Sequence, residues 1–219
     1  MIPNVHLLGI QGSGKGTQSS LLVSKYGATY IASGNLFRKR ASMGDTEGLR
    51  VASLMKGGSL LPDELLVITV QQALDLHPPE HMLLCDGVIR TLAQMKLLAS
   101  VWVAYGLDAP ALIFLDLDEE TARARVAQRH AERHLPGKRE YHATFSGKLI
   151  QREDDNPQAL EERFRLFRQM TEPIVAAFQS EGRVASVSAD QTVKEVHLQV
   201  CQAISTFYPT LNEPDQIAG

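Results

Sequence analysis

Nine consecutive residues, Gly9-Ile10-Gln11-Gly12-Ser13-Gly14-Lys15-Gly16-Thr17, narrow the choice of fold more than any other stretch. They follow an apolar run, Val5-His6-Leu7-Leu8, that reads as a buried strand. They precede residues 18–26, whose apolar spacing and lack of Gly or Pro read as a helix. Strand, glycine loop, lysine and helix in that order make the context of a phosphate-cradling loop. Glycines let the backbone close on an anion with several N–H groups pointing inward. The helix N-terminus adds partial positive charge, and a lysine reaches the outer phosphates. Gly12, Ser13, Gly14, Lys15, Gly16 and Thr17 are therefore assigned to a nucleoside triphosphate. A hydroxyl directly after the lysine usually meets Mg²⁺. Here Gly16 takes that place and the hydroxyl comes at Thr17, so the metal is expected to be held through water.

Beyond the loop, strand-like and helix-like stretches alternate. Strands are predicted at residues 5–8, 29–32, 82–85, 111–117 and 184–187. Helices are predicted at 15–26, 36–43, 63–76, 92–105, 119–130, 158–180 and 193–207. Alternation with continuously apolar strands predicts an α/β fold whose parallel sheet is covered on both faces, with ligands at the carboxyl ends of the strands. Two stretches break the pattern. Residues 33–79 hold several short helices between the second and third strands, and residues 129–152 are polar, with Pro136, Gly137 and Gly147 as breakers. Excursions of that length from a compact sheet read as lids or binding segments. The chain after Tyr208 reads as a frayed tail.

Composition excludes several classes. At 219 residues, 44% apolar and 21% charged, the chain is globular and long enough for a well-buried core. A net charge of −3 argues against a nucleic-acid coat, and the basic stretch 123–139 has Glu132 interleaved and no aromatic residue. No run is long enough to cross a bilayer and no signal peptide is evident. Of two cysteines, Cys85 lies in an apolar run and reads as a reduced core thiol. A cytoplasmic location is expected.

The strand ends carry the remaining chemistry. The second strand runs into Ser33-Gly34-Asn35-Leu36-Phe37-Arg38, and the third into Asp86-Gly87-Val88-Ile89-Arg90-Thr91, with Gln94 following. Each places an arginine, whose fork suits phosphate oxygens, on the rim where the phosphate loop lies. Alone, either arginine would suit a surface salt bridge. Asp86 is placed to hold Mg²⁺ through water, with a helix N-cap as the alternative. Arg125 and Arg129 share one helical face, while Arg152 and Arg163 flank the end of the second excursion.

These motifs, in this order, resemble the adenylate kinase family of nucleoside monophosphate kinases over nearly the full length. The residues that carry the resemblance are the phosphate loop with its Gly-Lys-Gly-Thr ending, Ser33-Gly34-Asn35 with Arg38, residues 58–65, Asp86 to Thr91 with Gln94, and Arg152-Glu153-Asp154-Asp155 with Arg163. The resemblance implies a P-loop three-layer sandwich with a five-stranded parallel sheet. Its core would comprise residues 1–32, 62–129 and 152–208, with an NMP-binding part at 33–61, a lid at 130–151 and a tail at 209–219.

The resemblance also implies that Lys15 and its loop, Arg125, Arg129, Tyr141 and Gln191 bind ATP. Ser33, Arg38, Ser59, Leu60, Leu61, Gly87, Arg90 and Gln94 would bind the acceptor nucleotide. Arg152 and Arg163 would close over the transferring group. Lys15, Asp86, Arg90, Arg129, Arg152 and Arg163 would be the catalytic set, using Mg-ATP near Thr17 and Asp86 without a direct protein ligand to the metal. The partners implied are ATP and AMP only, with no nucleic acid, no membrane and a monomeric state.

Four features depart from the family pattern. Asn35 replaces Asp, removing a negative charge near the metal. Val88-Ile89 replaces Phe-Pro, so the turn presenting Arg90 lacks proline's fixed φ. Ser33 replaces Thr but keeps the hydroxyl, which favours an adenine acceptor. The lid, 22 residues between Arg129 and Arg152, has no cysteine, so no zinc is expected despite His130, His134 and His142. The activity implied is transfer of the γ-phosphoryl group of Mg-ATP to AMP. A UMP/CMP or other NMP kinase, or a non-catalytic nucleotide-binding module, stays open as an alternative.

Overall fold

The computed structural model describes residues 2–78, 80–133, 142–143, 149–150 and 157–212. In chain order its elements are β1 (Asn4–Gly9), α1 (Lys15–Tyr26), β2 (Thr29–Ala32), α2 (Ser33–Ala41), α3 (Thr46–Lys56), α4 (Asp63–Leu74), β3 (Leu83–Asp86) and α5 (Leu92–Ala104). There follow β4 (Ala111–Asp116), α6 (Glu119–Arg133), β5 (His142–Ala143), β6 (Leu149–Ile150), α7 (Pro157–Ser180), β7 (Val184–Ser188) and α8 (Val193–Phe207).

Five strands form one parallel sheet in the order β2-β3-β1-β4-β7, which puts β1 at the centre. Its register pairs Leu7 with Asp86 of β3 and Gly9 with Leu115 of β4, so the strand ends that matter lie side by side. Successive side chains leave a strand on opposite faces. Leu7, Leu84, Ile113 and Leu115 therefore join Leu22 of α1 and Val196, Val200 and Ile204 of α8 on one face. Leu8, Leu83, Cys85 and Leu112 join Leu66 and Val70 of α4 and Leu98, Val101 and Trp102 of α5 on the other. Helix α7 serves both layers, giving Phe164 to the first and Ile174 and Phe178 to the second. Each such side chain contributes about 1.5–3 kcal/mol relative to leaving it in water.

Two polar residues of β1 are buried with partners. Asn4 donates from Nδ2 to Asp108 O (3.1 Å), and its own carbonyl accepts from Tyr208 Oη (3.0 Å). His6 Nε2 bonds Asn4 Oδ1 at 3.0 Å, and its ring meets Trp102 edge-on at 5.4 Å. Burial pushes the His6 imidazole down to about 3, so it is neutral in the native state.

The predicted sheet and α1 stand as read, and the differences fall at local signals that tertiary contacts override. Helix α2 begins at Ser33 instead of residue 36. Ser33-Gly34-Asn35 reads as a turn on propensity, but Ser33 Oγ donates to Gly87 O at 2.7 Å and Phe37 is buried. Helix α3 starts at the N-cap Asp45, whose side chain accepts from Gly48 N. Between them Arg40 pairs with Asp45 and Glu47. The second excursion contains an antiparallel pair, His142 opposite Ile150 and Ala143 opposite Leu149. Directly after Tyr208 the chain is ordered, contrary to the frayed tail expected from residue 209. It makes a 3-10 turn over Pro209–Asn212 that packs Leu211 against the core.

Candidate active site

Local backbone geometry shapes the loop after β1. Gly12 and Gly14 both have positive φ, 97° and 90°. A Cβ on Gly12 would lie 2.7 Å from Ala122 O of α6, so only glycine lets the loop lie flat against that helix. Gly14 is the N-cap of α1 and supplies no side-chain cap to the first turn. Lys15 Nζ donates to Gly9 O (2.7 Å) and Ile10 O (3.0 Å), bridging the mouth of the loop. Ser13 Oγ is buried inside the loop without a hydrogen-bond partner. Asp86 sits at the end of the neighbouring strand, and its Oδ2 accepts from Tyr30 Oη at 3.0 Å. It caps no helix, because Thr91 is the N-cap of α5 and accepts from Gln94 N.

Beside the loop, the ends of β2 and β3 open onto a narrow, half-open cleft. The sequence-predicted Ser33, Ser59, Leu60, Leu61, Gly87, Arg90 and Gln94 all line it, over an apolar floor of Phe37, Leu66 and Val88. Arg90 donates from Nε to Gly87 O (2.9 Å) and from Nη2 to Ser33 Oγ (3.3 Å). Gly87, at φ 62°, brings its carbonyl under that guanidinium. Proline is not needed in this turn, because Val88 and Ile89 are buried and Arg90 N donates to Gln94 Oε1 at 2.8 Å. Arg38 Nη2 donates to Asn35 Oδ1 at 2.6 Å, so the substituted residue orients an arginine through a neutral amide.

A family model described as adenylate kinase matches residues 7–183. The adenylate kinase of Streptomyces coelicolor is 30% identical over 210 residues, covering 90% of this chain and 96% of its own. That of Geotalea daltonii is 31% identical over 209 residues, covering 90% and 97%. That of Bacillus subtilis is 29% identical over 216 residues, covering 90% and 95%. The chain belongs to the adenylate kinase family.

As a member of that family it is an ATP-binding phosphotransferase. Of the remaining predicted residues, Arg125 and Gln191 lie where the chain leaves β7. Arg125 of α6 donates to Ala189 O (2.9 Å) and pairs with Asp190 (3.4 Å), which ties α6 to the turn carrying Gln191. Gln191 Oε1 accepts from Gln199 Nε2 at 2.7 Å. Arg129, one turn beyond Arg125, is half-buried. Arg163 of α7 reaches Gln11 Oε1 of the loop at 3.4 Å. Thr17 is exposed on the first turn of α1. Tyr141 and Arg152 lie outside the described residues, as do the side chains of His130, His134 and His142. Among the described residues no helix is long and apolar enough to cross a membrane.

Helices α6 and α7, which run to and from the second excursion, are tied at their roots. Arg123 pairs with Glu119 (2.6 Å) and with Glu161, while Arg168 pairs with Glu119. The Arg123 guanidinium lies 4.4 Å over the Phe164 ring. Hydrogen bonding from Arg123 holds the Glu119 and Glu161 carboxyls below their usual range. Three partners escaped the sequence reading: Gln11 beneath Arg163, Tyr30 beneath Asp86, and Asp63, which accepts from Gln94 Nε2 at 3.0 Å. Their partners are remote in sequence, and no local pattern marks them.

Proposed function

We propose that this chain reversibly transfers the γ-phosphoryl group of Mg-ATP to AMP, giving two ADP. The observation that carries the reading is the pairing of two sites on one edge of the sheet. A glycine loop suited to phosphates follows β1, and a partly apolar cleft lined by Arg90 follows the adjacent β3 and its neighbour β2.

In this reading the loop N–H groups and Lys15 hold the ATP phosphates, with Arg125, Arg129, Tyr141 and Gln191 on the ATP side. The cleft takes AMP, with the base toward Gln94 and Leu60 and the phosphate toward Arg38 and Arg90. Arg152 and Arg163 converge on the transferring group. The attacking phosphate oxygen is already anionic, so no general base is required. The work is to bring two mutually repelling anions into line and to neutralise spread charge. Thr17 and Asp86 offer hydroxyl and carboxylate oxygens on the same edge, a hard donor set suited to Mg²⁺ and its water shell. Magnesium supplies charge neutralisation at the phosphates when bound.

Residues 1–32, 62–129 and 152–208 serve as the core, 33–61 as the acceptor-binding part and 130–151 as a lid whose closure excludes water. The direct test is ADP formation from Mg-ATP with AMP, CMP, UMP and GMP in parallel and ATP alone as control. Turnover with AMP is expected to dominate. Turnover only with a pyrimidine would move the assignment within the family, and silence with all four despite ATP binding would remove it.

A further inference from the structure

One polar group in the acceptor cleft has its orientation dictated from both sides. Gln94 is 4% exposed and lines the cleft. Its Oε1 accepts the backbone N–H of Arg90 at 2.8 Å, and its Nε2 donates to Asp63 Oδ1 at 3.0 Å. A backbone N–H can only donate, and a carboxylate can only accept. Turning the amide over would set N–H against N–H and oxygen against oxygen, stranding buried polar groups. The amide therefore has a single orientation. After these two bonds Oε1 keeps a lone pair and Nε2 keeps a hydrogen, an acceptor beside a donor.

We propose that Asp63 is a specificity-determining residue: by locking the Gln94 amide it commits the cleft to a base edge that carries an amino group beside an unprotonated ring nitrogen. Adenine has that edge. A 6-oxo purine offers a carbonyl oxygen and a protonated ring nitrogen instead, so donor meets donor and acceptor meets acceptor. With the phosphate end gripped at Arg38 and Arg90, the base is not at liberty to turn over and restore the match. This assignment rests on AMP being the acceptor, which sets which way round the pairing runs. Asp63, the first residue of α4, is not among the residues lining the cleft and works through Gln94.

The decisive comparison is AMP against IMP, two purines of equal size that differ at this edge. Wild-type kcat/KM should favour AMP by about 5- to 150-fold, the discrimination of one bidentate pair. In Asp63→Asn the new side chain can donate as well as accept, so the amide is released on one side. The AMP/IMP ratio should fall by about tenfold, the worth of one hydrogen bond to a charged group, with IMP gaining in absolute terms. Glu64→Gln removes an equal charge from the same helical turn and should leave the ratio unchanged. Calorimetric binding of AMP and IMP to all three proteins should move in parallel. An unchanged ratio in Asp63→Asn, or an equal change in Glu64→Gln, would overturn the assignment. Absence of turnover with either nucleotide in the wild type would overturn the kinase reading instead, and the calorimetric ratio would still decide the role of Asp63.

Discussion

Acid should weaken this fold through a group far from its surface. His6 is 2% exposed, bonded to Asn4 and set edge-on against Trp102, and burial holds its imidazole near 3 against an ordinary 6.5. The native side chain is neutral at pH 5, whereas the unfolded one takes up a proton below about 6.5. The folded pKa is the lower of the two, so between them the unfolded state binds more protons. Stability therefore falls as pH drops from 6.5 toward 3 and is undiminished above 6.5. At pH 5 the gap from the unfolded value is about 1.5 units, which costs about 2 kcal/mol. That is a large fraction of the roughly 5–15 kcal/mol that keeps a domain folded. Urea unfolding at pH 7 and pH 5 reads it directly, with His6→Gln as the comparison because glutamine cannot titrate and can still bond Asn4. The wild type should lose about 2 kcal/mol more than the variant between the two pH values. His77 and His197, also lowered by burial, are present in both proteins and cancel. Equal losses would mean that His6 is not held neutral, and the reasoning would fail.

Other substitutions test the site. Arg90→Ala should cut phosphoryl transfer by about 100-fold or more and weaken AMP binding, with ATP affinity by calorimetry nearly intact. Unchanged turnover would remove Arg90 from the site. Gly12→Ala forces a side chain into a left-handed backbone at about 1–2 kcal/mol and against the Ala122 carbonyl. It should lower the melting temperature and ATP affinity together, and a variant of wild-type Tm and affinity would refute the loop geometry. Burial raises the Cys85 thiol well above its usual range. In the native protein it should resist thiol reagents and react only on unfolding, as peptide mapping after pulse alkylation would show.

Much of this architecture is legible in the sequence because its signals are local. Residues 15–26 and 29–32 are read to the residue, since glycines bound the helix and a continuous apolar run marks the strand. Seven of the residues predicted for the acceptor line one cleft, Arg38 not among them, because Ser33 and Gly87 follow strands paired in register, Ala32 opposite Asp86. What stays hidden is what depends on contact at a distance. Asp63 meets Gln94 across 31 positions through the packing of α4 on α5, and Tyr30 meets Asp86 across 56 through the pairing of β2 with β3. The early start of α2 was masked because Ser-Gly-Asn favours turns until Ser33 finds Gly87 and Phe37 finds the core. The loss of proline beside Arg90 looked like a weakened turn, yet burial of Val88 and Ile89 anchors it by another route.

The central place of β1 bears on how the molecule is made. The strand that ends in the phosphate loop precedes both of its neighbours, β3 and β4, and Leu8 and Gly9 find their partners only in Phe114 and Leu115. During synthesis a nascent chain must therefore carry β1 unpaired until β3 has left the ribosome, and with its other edge open until β4 has followed. Its apolar residues are open to chaperones, or to wrong partners, for that interval. The long loop that must close makes this pairing slow compared with formation of the helices. Nucleotide binding can thus begin only once the middle of the sheet has assembled, so the acquisition of ATP binding during translation reports the moment when the fold commits.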